Sequence, residues 1–237
     1  MIILEQTNST NEYLKELSRS NSNLPEFTSV LAKNQNAGKG QRGNTWFAES
    51  GKSLCFSILI RPEFLAGENQ FEISKFAAVS IVETLQKFAE NICIKWSNDI
   101  FFEKKKIGGV LIENTVSGRN IQNSIIGIGI NVNNTEFSDL PSASSLKLIT
   151  SNEFSIIEIA ENISNTMKKN YRLLYNPIEL NNLYLKNLYL LNKKSDFESG
   201  GKIFEGIIKG IDKYGRLLVE NNENMILNFD IKEIRFL

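Results

Sequence analysis

The chain has 237 residues with 27 basic and 27 acidic side chains, so no net charge favours a general polyanion as partner. It has no histidine and only two cysteines, which excludes a Ser-His-Asp triad, a histidine general base and the usual zinc sites. Both cysteines lie in apolar runs, and neither a membrane span nor a signal peptide is evident, so a cytoplasmic protein without a membrane partner is expected.

The first 62 residues predict a helix and two strands around a glycine-rich loop. Ser9 and Glu12 have the spacing of a capping box, so a short helix is expected to begin there. The runs 27–35 and 53–62 are rich in β-branched and apolar residues and predict strands. The loop between them contains G-x-G-x-x-G, but a strand follows where a dinucleotide-binding fold needs a helix. The pattern is therefore not read as a dinucleotide site.

The rest of the chain predicts an α+β protein. Residues 69–90 have helical spacing, 92–96 read as a buried strand, and two further strands meet at a basic turn over 103–106. A strand over 124–133 is interrupted by Gly127 and Gly129, and such glycines often mark the close approach of a ligand or another backbone. Helices are expected over 154–175 and about 177–191, followed by a small β module.

Four polar clusters stand where these elements end: 9–11, 35–46, 95–109 and 127–131. Each has an ordinary structural explanation, namely a helix cap, a solvated loop, a hairpin turn and a β-bulge. Taken one at a time, none of them identifies a function.

Taken together and in this order, the clusters resemble the motifs of biotin protein ligases. The chain reads S-T-N, G-K-G-Q-R-G-N-T-W, K-W-S-N-D-I, K-I-G-G-V-L-I-E and G-I-G-I-N-V-N, and the resemblance covers essentially the whole length. It implies a mixed sheet flanked by helices over residues 1–195, of the class II synthetase-like type, and an SH3-like β-barrel over 196–237. Some family members carry an N-terminal DNA-binding domain. Here the catalytic region starts almost at Met1, so that domain and DNA binding are not expected.

The activity implied by the resemblance is an ATP-dependent ligation in two steps. Biotin and Mg²⁺-ATP form biotinyl-5′-AMP, and a lysine of a biotin carboxyl carrier protein domain of a biotin-dependent carboxylase then receives the biotin. The implied biotin-binding residues are Ser9, Thr10, Asn11, Gln35, Gly38, Lys39, Gly40, Gln41, Lys106 and Gly109. The implied ATP-binding residues are Gly40, Arg42, Trp46, Asn98, Asp99, Gly129 and Asn131, and the implied catalytic residues are Lys39, Arg42, Asp99 and Lys106. Metal ligands are not assigned.

These residue types suit the chemistry independently of the family. A carboxylate that meets a polyphosphate needs fixed cations and oriented N–H donors, which Lys39, Arg42, Lys106 and the loop glycines can supply. A lysine side chain has a reference pKa of about 10.4 and an aspartate carboxylate one of about 3.9, so a carboxylate is a poor base for a free ammonium. Our hypothesis is that Asp99 orients the amine and accepts its proton as the C–N bond forms.

The sequence departs from the family pattern at two places. The glycine loop usually reads G-R-G-R-x-G, whereas this chain has Lys39, which lacks the bidentate fork of arginine, and Gln41, which lacks the charge. Ser97 replaces the usual proline after Trp96. The expectation is a family variant in which rapid release of biotinyl-AMP would reveal a leaky loop.

Two alternatives remain open at this stage. One is a lipoate- or octanoate-protein ligase or transferase of the same fold, although the R-R-x-S-G-G-G motif and the nearby histidine of those enzymes are absent. The other is a non-catalytic relative that binds biotin or the carrier without turnover. An exposed edge strand could pair with the carrier or with a second copy in a homodimer, and the sequence does not choose between them.

Overall fold

The computed structural model describes residues 1–137 and 140–237, and the side chain of Arg42 lies outside the described part. Seven strands form the larger sheet: β1 Ile2–Thr7, β2 Ser29–Gln35, β3 Ser53–Ile60, β4 Ile92–Lys95, β5 Asp99–Phe102, β6 Lys105–Ser117 and β7 Asn120–Asn131. Their order is β1-β2-β3-β7-β6-β5-β4. The sheet is mixed, because β1 pairs with β2 in parallel while the other neighbours are antiparallel.

Helices cover both faces of this sheet. The five α-helices of the described residues are α1 Thr10–Ser20, α2 Phe71–Leu85, α3 Leu146–Thr150, α4 Ile156–Asn170 and α5 Pro177–Lys186. On one face Leu14 of α1 packs in a small cluster that includes Leu59. On the other face α2 and α4 pack in the main core with Phe56 and Ile58. Strand β3 is buried along its whole length for this reason, which explains its continuous apolar run.

The C-terminal module is a five-stranded antiparallel sheet. Its strands are β8 Lys194–Ser199, β9 Lys202–Ile211, β10 Leu217–Asn221, β11 Ile226–Phe229 and β12 Arg235–Phe236, in the order β11-β10-β9-β8-β12. The prediction of a closed barrel is wrong for the described residues. Strands β11 and β12 form the two edges of the sheet and do not pair with each other. Strand β12 has only two residues, which pair with β8.

Most predicted elements are confirmed, with three differences. Strand β1 and helix α3 were not predicted. Strand β1 is a half-exposed edge strand whose sequence does not alternate between apolar and polar residues, and α3 has only five residues. The helices expected over 69–90 and 177–191 end earlier, at Leu85 and Lys186. Ser9 does occupy the N-cap of α1, but its side chain makes no capping hydrogen bond, so the predicted capping box is wrong. None of the described helices has the length and apolarity needed to cross a bilayer.

The C-terminal module contacts the larger sheet through the turn before β10. The indole nitrogen of Trp96 donates to the carbonyl oxygen of Gly215 at 2.8 Å. Gly215 has a φ of 85°, and a Cβ at this position would lie 2.2 Å from a ring carbon of Phe71. The ammonium of Lys95, next to Trp96, lies 5.0 Å from the ring centroid of Phe236 in β12. These contacts bring the C-terminal strand beside the K-W-S-N-D turn.

We predict that Gly215→Ala destabilises the protein more than Gly200→Ala. Both glycines have positive φ, where any other residue costs roughly 1–2 kcal/mol, but only Gly215 lacks room for a Cβ. The steric conflict with Phe71 should add about 1–3 kcal/mol of lost unfolding free energy, measured by urea denaturation. Equal losses in the two variants would show that this contact does not hold the module in place.

Candidate active site

A cavity of about 340 Å³ opens on the face of the larger sheet that carries α1. Its floor is formed where β3 pairs with β7 through small residues, Ser57 opposite Gly127 and Cys55 opposite Gly129. Further along the same face, large residues such as Leu59 fill the space beneath α1. The change from large to small side chains creates the cavity.

Two side chains of the protein enter the space above the glycines of β7. A Cβ on Gly127 would lie 2.3 Å from Asn11 Oδ1, and a Cβ on Gly129 would lie 2.4 Å from the Trp46 indole. Close approach therefore requires glycine at both positions, although the sequence predicted a ligand or another backbone as the approaching group. The approaching groups are side chains of the protein rather than another backbone. Within the described residues, the buried N–H of the Trp46 ring has no hydrogen-bond partner.

A polar network joins the start of α1 to the sheet beside the cavity. The backbone N–H of Thr10 donates to Gln35 Oε1 at 3.0 Å. The Asn11 amide nitrogen donates to Glu113 Oε2 at 2.9 Å, and the hydroxyl of Ser57 donates to Asn11 Oδ1 at 2.6 Å. Neutral amides and hydroxyls of fixed orientation suit a polar, uncharged ligand group.

Lysines and a carboxylate lie further along the cavity and at its rim. Lys106 Nζ and Asp99 Oδ1 form an ion pair at 2.6 Å. Lys39 lies at the rim and pairs with Glu12 of α1, which raises the pKa of the Lys39 ammonium through their hydrogen bond. Burial lowers the pKa of Lys95, whose ammonium also lies near Lys106. The cavity thus has a local positive side although the chain is neutral overall.

The two departures from the family pattern contact each other. Ser97 Oγ lies 3.4 Å from Gln41 Oε1 and 3.2 Å from Asn98 Oδ1. Asn98 in turn donates its amide to the carbonyl oxygen of Val110 at 2.7 Å, and the N–H of Val110 donates back to the Asn98 carbonyl. The glycine loop is therefore joined to the K-W-S-N-D turn, and that turn is joined to β6.

The structure brings most of the predicted site residues to one cavity. Those that line it are Ser9, Thr10, Asn11, Gln35, Lys39, Gly40, Gln41, Trp46, Asn98, Asp99, Lys106, Gly109 and Gly129. Gly38 does not line it and lies beneath the backbone of Trp46. Asn131 does not line it either, because its buried amide donates to the carbonyl oxygen of Ser144 at 3.0 Å. The side chain of Arg42 lies outside the described part, so its predicted roles remain predictions.

One wall of the cavity has no signal in the sequence. The segment between β11 and the end of β12 lines it through Ile231, Lys232, Ile234, Arg235 and Phe236. This wall depends on how the C-terminal module packs, which no local motif records. Cys55 and Lys95 were also missed as lining residues, although both lie in motifs or strands that were singled out.

Comparison with known proteins identifies the family. Residues 3–131, more than half of the chain, match the model of the biotin/lipoate A/B protein ligase family. The chain belongs to this family. Residues 196–232 match the biotin protein ligase C-terminal domain, which places the chain on the biotin side of the family.

Individual relatives agree with this assignment. The bifunctional ligase/repressor BirA of Bacillus subtilis is 30% identical over 237 residues, which cover 95% of this chain and 70% of that protein. BirA of Escherichia coli is 29% identical over 227 residues, covering 93% of this chain and 69% of that protein. Among solved structures, the biotin protein ligase of Aquifex aeolicus in complex with biotin and ATP superimposes with a TM-score of 0.81 at 27% identity, covering 100% of this chain and 98% of that chain.

The cysteines provide a test of the cavity floor. Burial raises the pKa of the Cys55 thiol to about 12 and, as the main effect, that of Cys93 to about 11. The thiolate is the reactive form, so both thiols should remain neutral and slow to react at pH 8. We expect native protein to be alkylated by iodoacetamide at pH 8 at least roughly tenfold more slowly than guanidinium-unfolded protein. Alkylation of Cys55 at the unfolded rate would contradict its placement.

Proposed function

We propose that this family member forms biotinyl-5′-AMP from biotin and ATP and transfers the biotin to a lysine of a biotin carboxyl carrier protein domain. The observation that carries the proposal is a single cavity with two chemically different sides. Neutral donors and acceptors from Thr10, Asn11 and Gln35 suit the ureido ring, while the lysines around Asp99 suit a carboxylate and phosphates. The Aquifex aeolicus relative with biotin and ATP bound supports the same pair of ligands.

In the first step the biotin carboxylate oxygen attacks the α-phosphorus, and the bond to pyrophosphate breaks. Two anions must meet, so fixed cations in a site shielded from water lower the barrier most effectively. Lys106 lines the cavity beside Asp99 and is the cation we place at the carboxylate and the α-phosphate. Lys39 stands at the rim, where it would have to leave Glu12 to reach a phosphate.

The residues around Asp99 would hold a magnesium ion only together with ATP. No group of three His, Cys, Asp or Glu side chains in the described residues is placed to bind a metal. Mg²⁺ is usually held by one or two carboxylates and the substrate phosphates, which a single carboxylate at Asp99 fits. Bound there, the ion would neutralise phosphate charge. The unpaired N–H of Trp46 is a further donor that an adenylate could satisfy.

In the second step the carrier lysine attacks the anhydride carbonyl and AMP leaves. Asp99 is the carboxylate that lines the cavity in the described residues, and it is already paired with Lys106. An incoming amine would share that carboxylate, which can orient it and take its proton as the C–N bond forms. The pair thus serves both steps, with Lys106 on the anhydride and Asp99 on the amine.

The route of the carrier is proposed from the open edge of β6. Strand β5 pairs with β6 only as far as Gly109, and no strand in the described residues pairs with the edge beyond it. A second cavity of about 340 Å³ lies beside this edge and shares Gln41, Ser97 and Asn98 with the first. An extended segment of the carrier could therefore reach Asp99 along β6, and a second copy of the chain is the alternative occupant. We also propose that the catalytic domain spans residues 1–195 and the C-terminal domain residues 196–237. The proposed location of the protein is the cytoplasm.

Lys106→Ala should slow adenylation strongly and weaken biotin binding much less. Removing one preorganised electrostatic group typically costs about 10²–10³ in rate, so formation of biotinyl-AMP in a single turnover should fall by that factor. Calorimetry should still detect biotin binding, because the groups assigned to the ureido ring are untouched. Lys105→Ala is the matched control, since this neighbour in β6 does not line the cavity. Equal effects of the two substitutions would contradict the role of Lys106.

Asp99→Asn should impair transfer more than adenylation. With purified biotinyl-AMP and the carrier domain, aminolysis should slow by about 10²–10⁴ because the proton acceptor is lost. Adenylate formation, measured on the same protein at saturating Mg²⁺, should fall less, since the asparagine oxygen can still face the ion and the phosphates supply most of its non-water ligands. Aminolysis at the wild-type rate would show that Asp99 does not act on the amine.

A further inference from the structure

Asn11 lies in a hydrogen-bond network that uses both protons of its amide. Its nitrogen donates to Glu113 Oε2 at 2.9 Å and to the carbonyl oxygen of Leu111 at 3.3 Å, both on β6. Its oxygen accepts from Ser57 at 2.6 Å and lies above Gly127, which lines the cavity. Asn11 is 3% exposed, so its orientation depends mainly on these partners.

The chemistry of these partners fixes which way the amide points. A carboxylate and a backbone carbonyl can only accept, so the group that faces Glu113 and Leu111 must be the NH₂. The amide oxygen is then held over Gly127 on the cavity side, with one of its two lone pairs used by Ser57. The remaining lone pair can accept one hydrogen bond from a ligand, and the amide has no proton left to give.

An accepting oxygen of Glu113 holds this orientation. Its second oxygen, Oε1, pairs with Lys15 at 3.1 Å, one helical turn after Asn11. Burial alone would raise the pKa of the Glu113 carboxyl, but hydrogen bonds from Asn11 and Lys15 and the charge of Lys15 outweigh burial and lower it. The carboxylate therefore stays ionised at neutral pH and binds both α1 side chains to the sheet.

We propose that Glu113 is a positioning residue for the ligand ring: it fixes Asn11 as a hydrogen-bond acceptor, so that the site selects a ring that presents an N–H. The inference rests on the proposed function and deepens it, because the ureido ring of biotin has two such donors and the dithiolane ring of lipoate has none. A buried acceptor left unpaired by the wrong ligand is costly, which makes this kind of contact a strong source of specificity.

The chain contains a close copy of the same arrangement away from the cavity. Glu83 accepts from the Asn170 amide at 2.7 Å and pairs with Lys169 at 2.9 Å, joining α2 to α4. Its carboxyl has a lowered pKa for the same reason, since hydrogen bonds from Asn170 and Lys169 outweigh burial. Glu83→Ala therefore removes the same chemistry without touching the site and is the matched control.

The test compares Glu113→Ala, Glu113→Gln and Glu83→Ala in the whole protein. Losing a hydrogen bond to a charged group costs about 1.5–3 kcal/mol, so Glu113→Ala should weaken biotin binding, measured by calorimetry without ATP, roughly tenfold or more. It should also reduce the preference for biotin over an analogue methylated on both ureido nitrogens, while KM for ATP stays within about twofold. Glu113→Gln keeps an acceptor for Asn11 and should restore most of the affinity, and Glu83→Ala should match wild type.

Each of the other possible results would contradict one part of the proposal for Glu113. If Glu113→Ala and Glu83→Ala change biotin affinity equally, or if the preference over the methylated analogue is unchanged, Glu113 has only a structural role. If Glu113→Ala raises KM for ATP as much as for biotin, it acts on the whole cavity rather than the ring. Wild-type protein that binds no biotin at all would overturn the proposed function itself, which separates the two failures.

Discussion

The site depends on the absence of side-chain bulk at four paired positions of the sheet. Strands β3 and β7 are buried and apolar along most of their length, yet Cys55, Ser57, Gly127 and Gly129 meet opposite one another on the α1 face. A single methyl group on either glycine would collide with Asn11 or Trp46. The same sheet is therefore a close-packed core on one face and the floor of a cavity on the other.

The side chains that enter this space divide it by polarity. Asn11 of α1 is held by Glu113 and Ser57, so the amide that faces the cavity from this helix is uncharged and has a fixed orientation. Lys106 of β6 and Asp99 of β5 place charge at the other end of the cavity. Because the chain as a whole carries no net charge, attraction for phosphates has to come from this local arrangement. The division matches a substrate with an uncharged ring at one end and a carboxylate at the other.

The C-terminal module forms one wall of the cavity. Trp96 of the K-W-S-N-D motif is hydrogen-bonded to Gly215, and Lys95 beside it lies between the rings of Phe101 and Phe236. These contacts place the end of the chain at the cavity wall. The motif that contains the predicted site residues Asn98 and Asp99 therefore also docks the module.

The sequence predicted those parts of the site that local patterns encode. Strands, helices and the loop 35–46 follow from periodicity and turn residues, and motif order pointed to the cavity residues from Ser9 to Gly129. It could not predict contacts between residues far apart in the chain. Trp96 and Gly215 are 119 positions apart, and Gln41 meets Ser97 at a separation of 56. The expected barrel was wrong because closure depends on pairing between short strands, which no residue pattern records.

The central claim is that one cavity activates biotin as an adenylate, and ATP–pyrophosphate exchange tests it most directly. Purified protein would be assayed with biotin, lipoate, octanoate or no added acid. We expect exchange that requires biotin and does not occur with the other acids, since the hydrogen-bond acceptors at the ring end of the cavity suit N–H donors. Exchange with lipoate or octanoate, or no exchange despite measurable biotin binding, would contradict it.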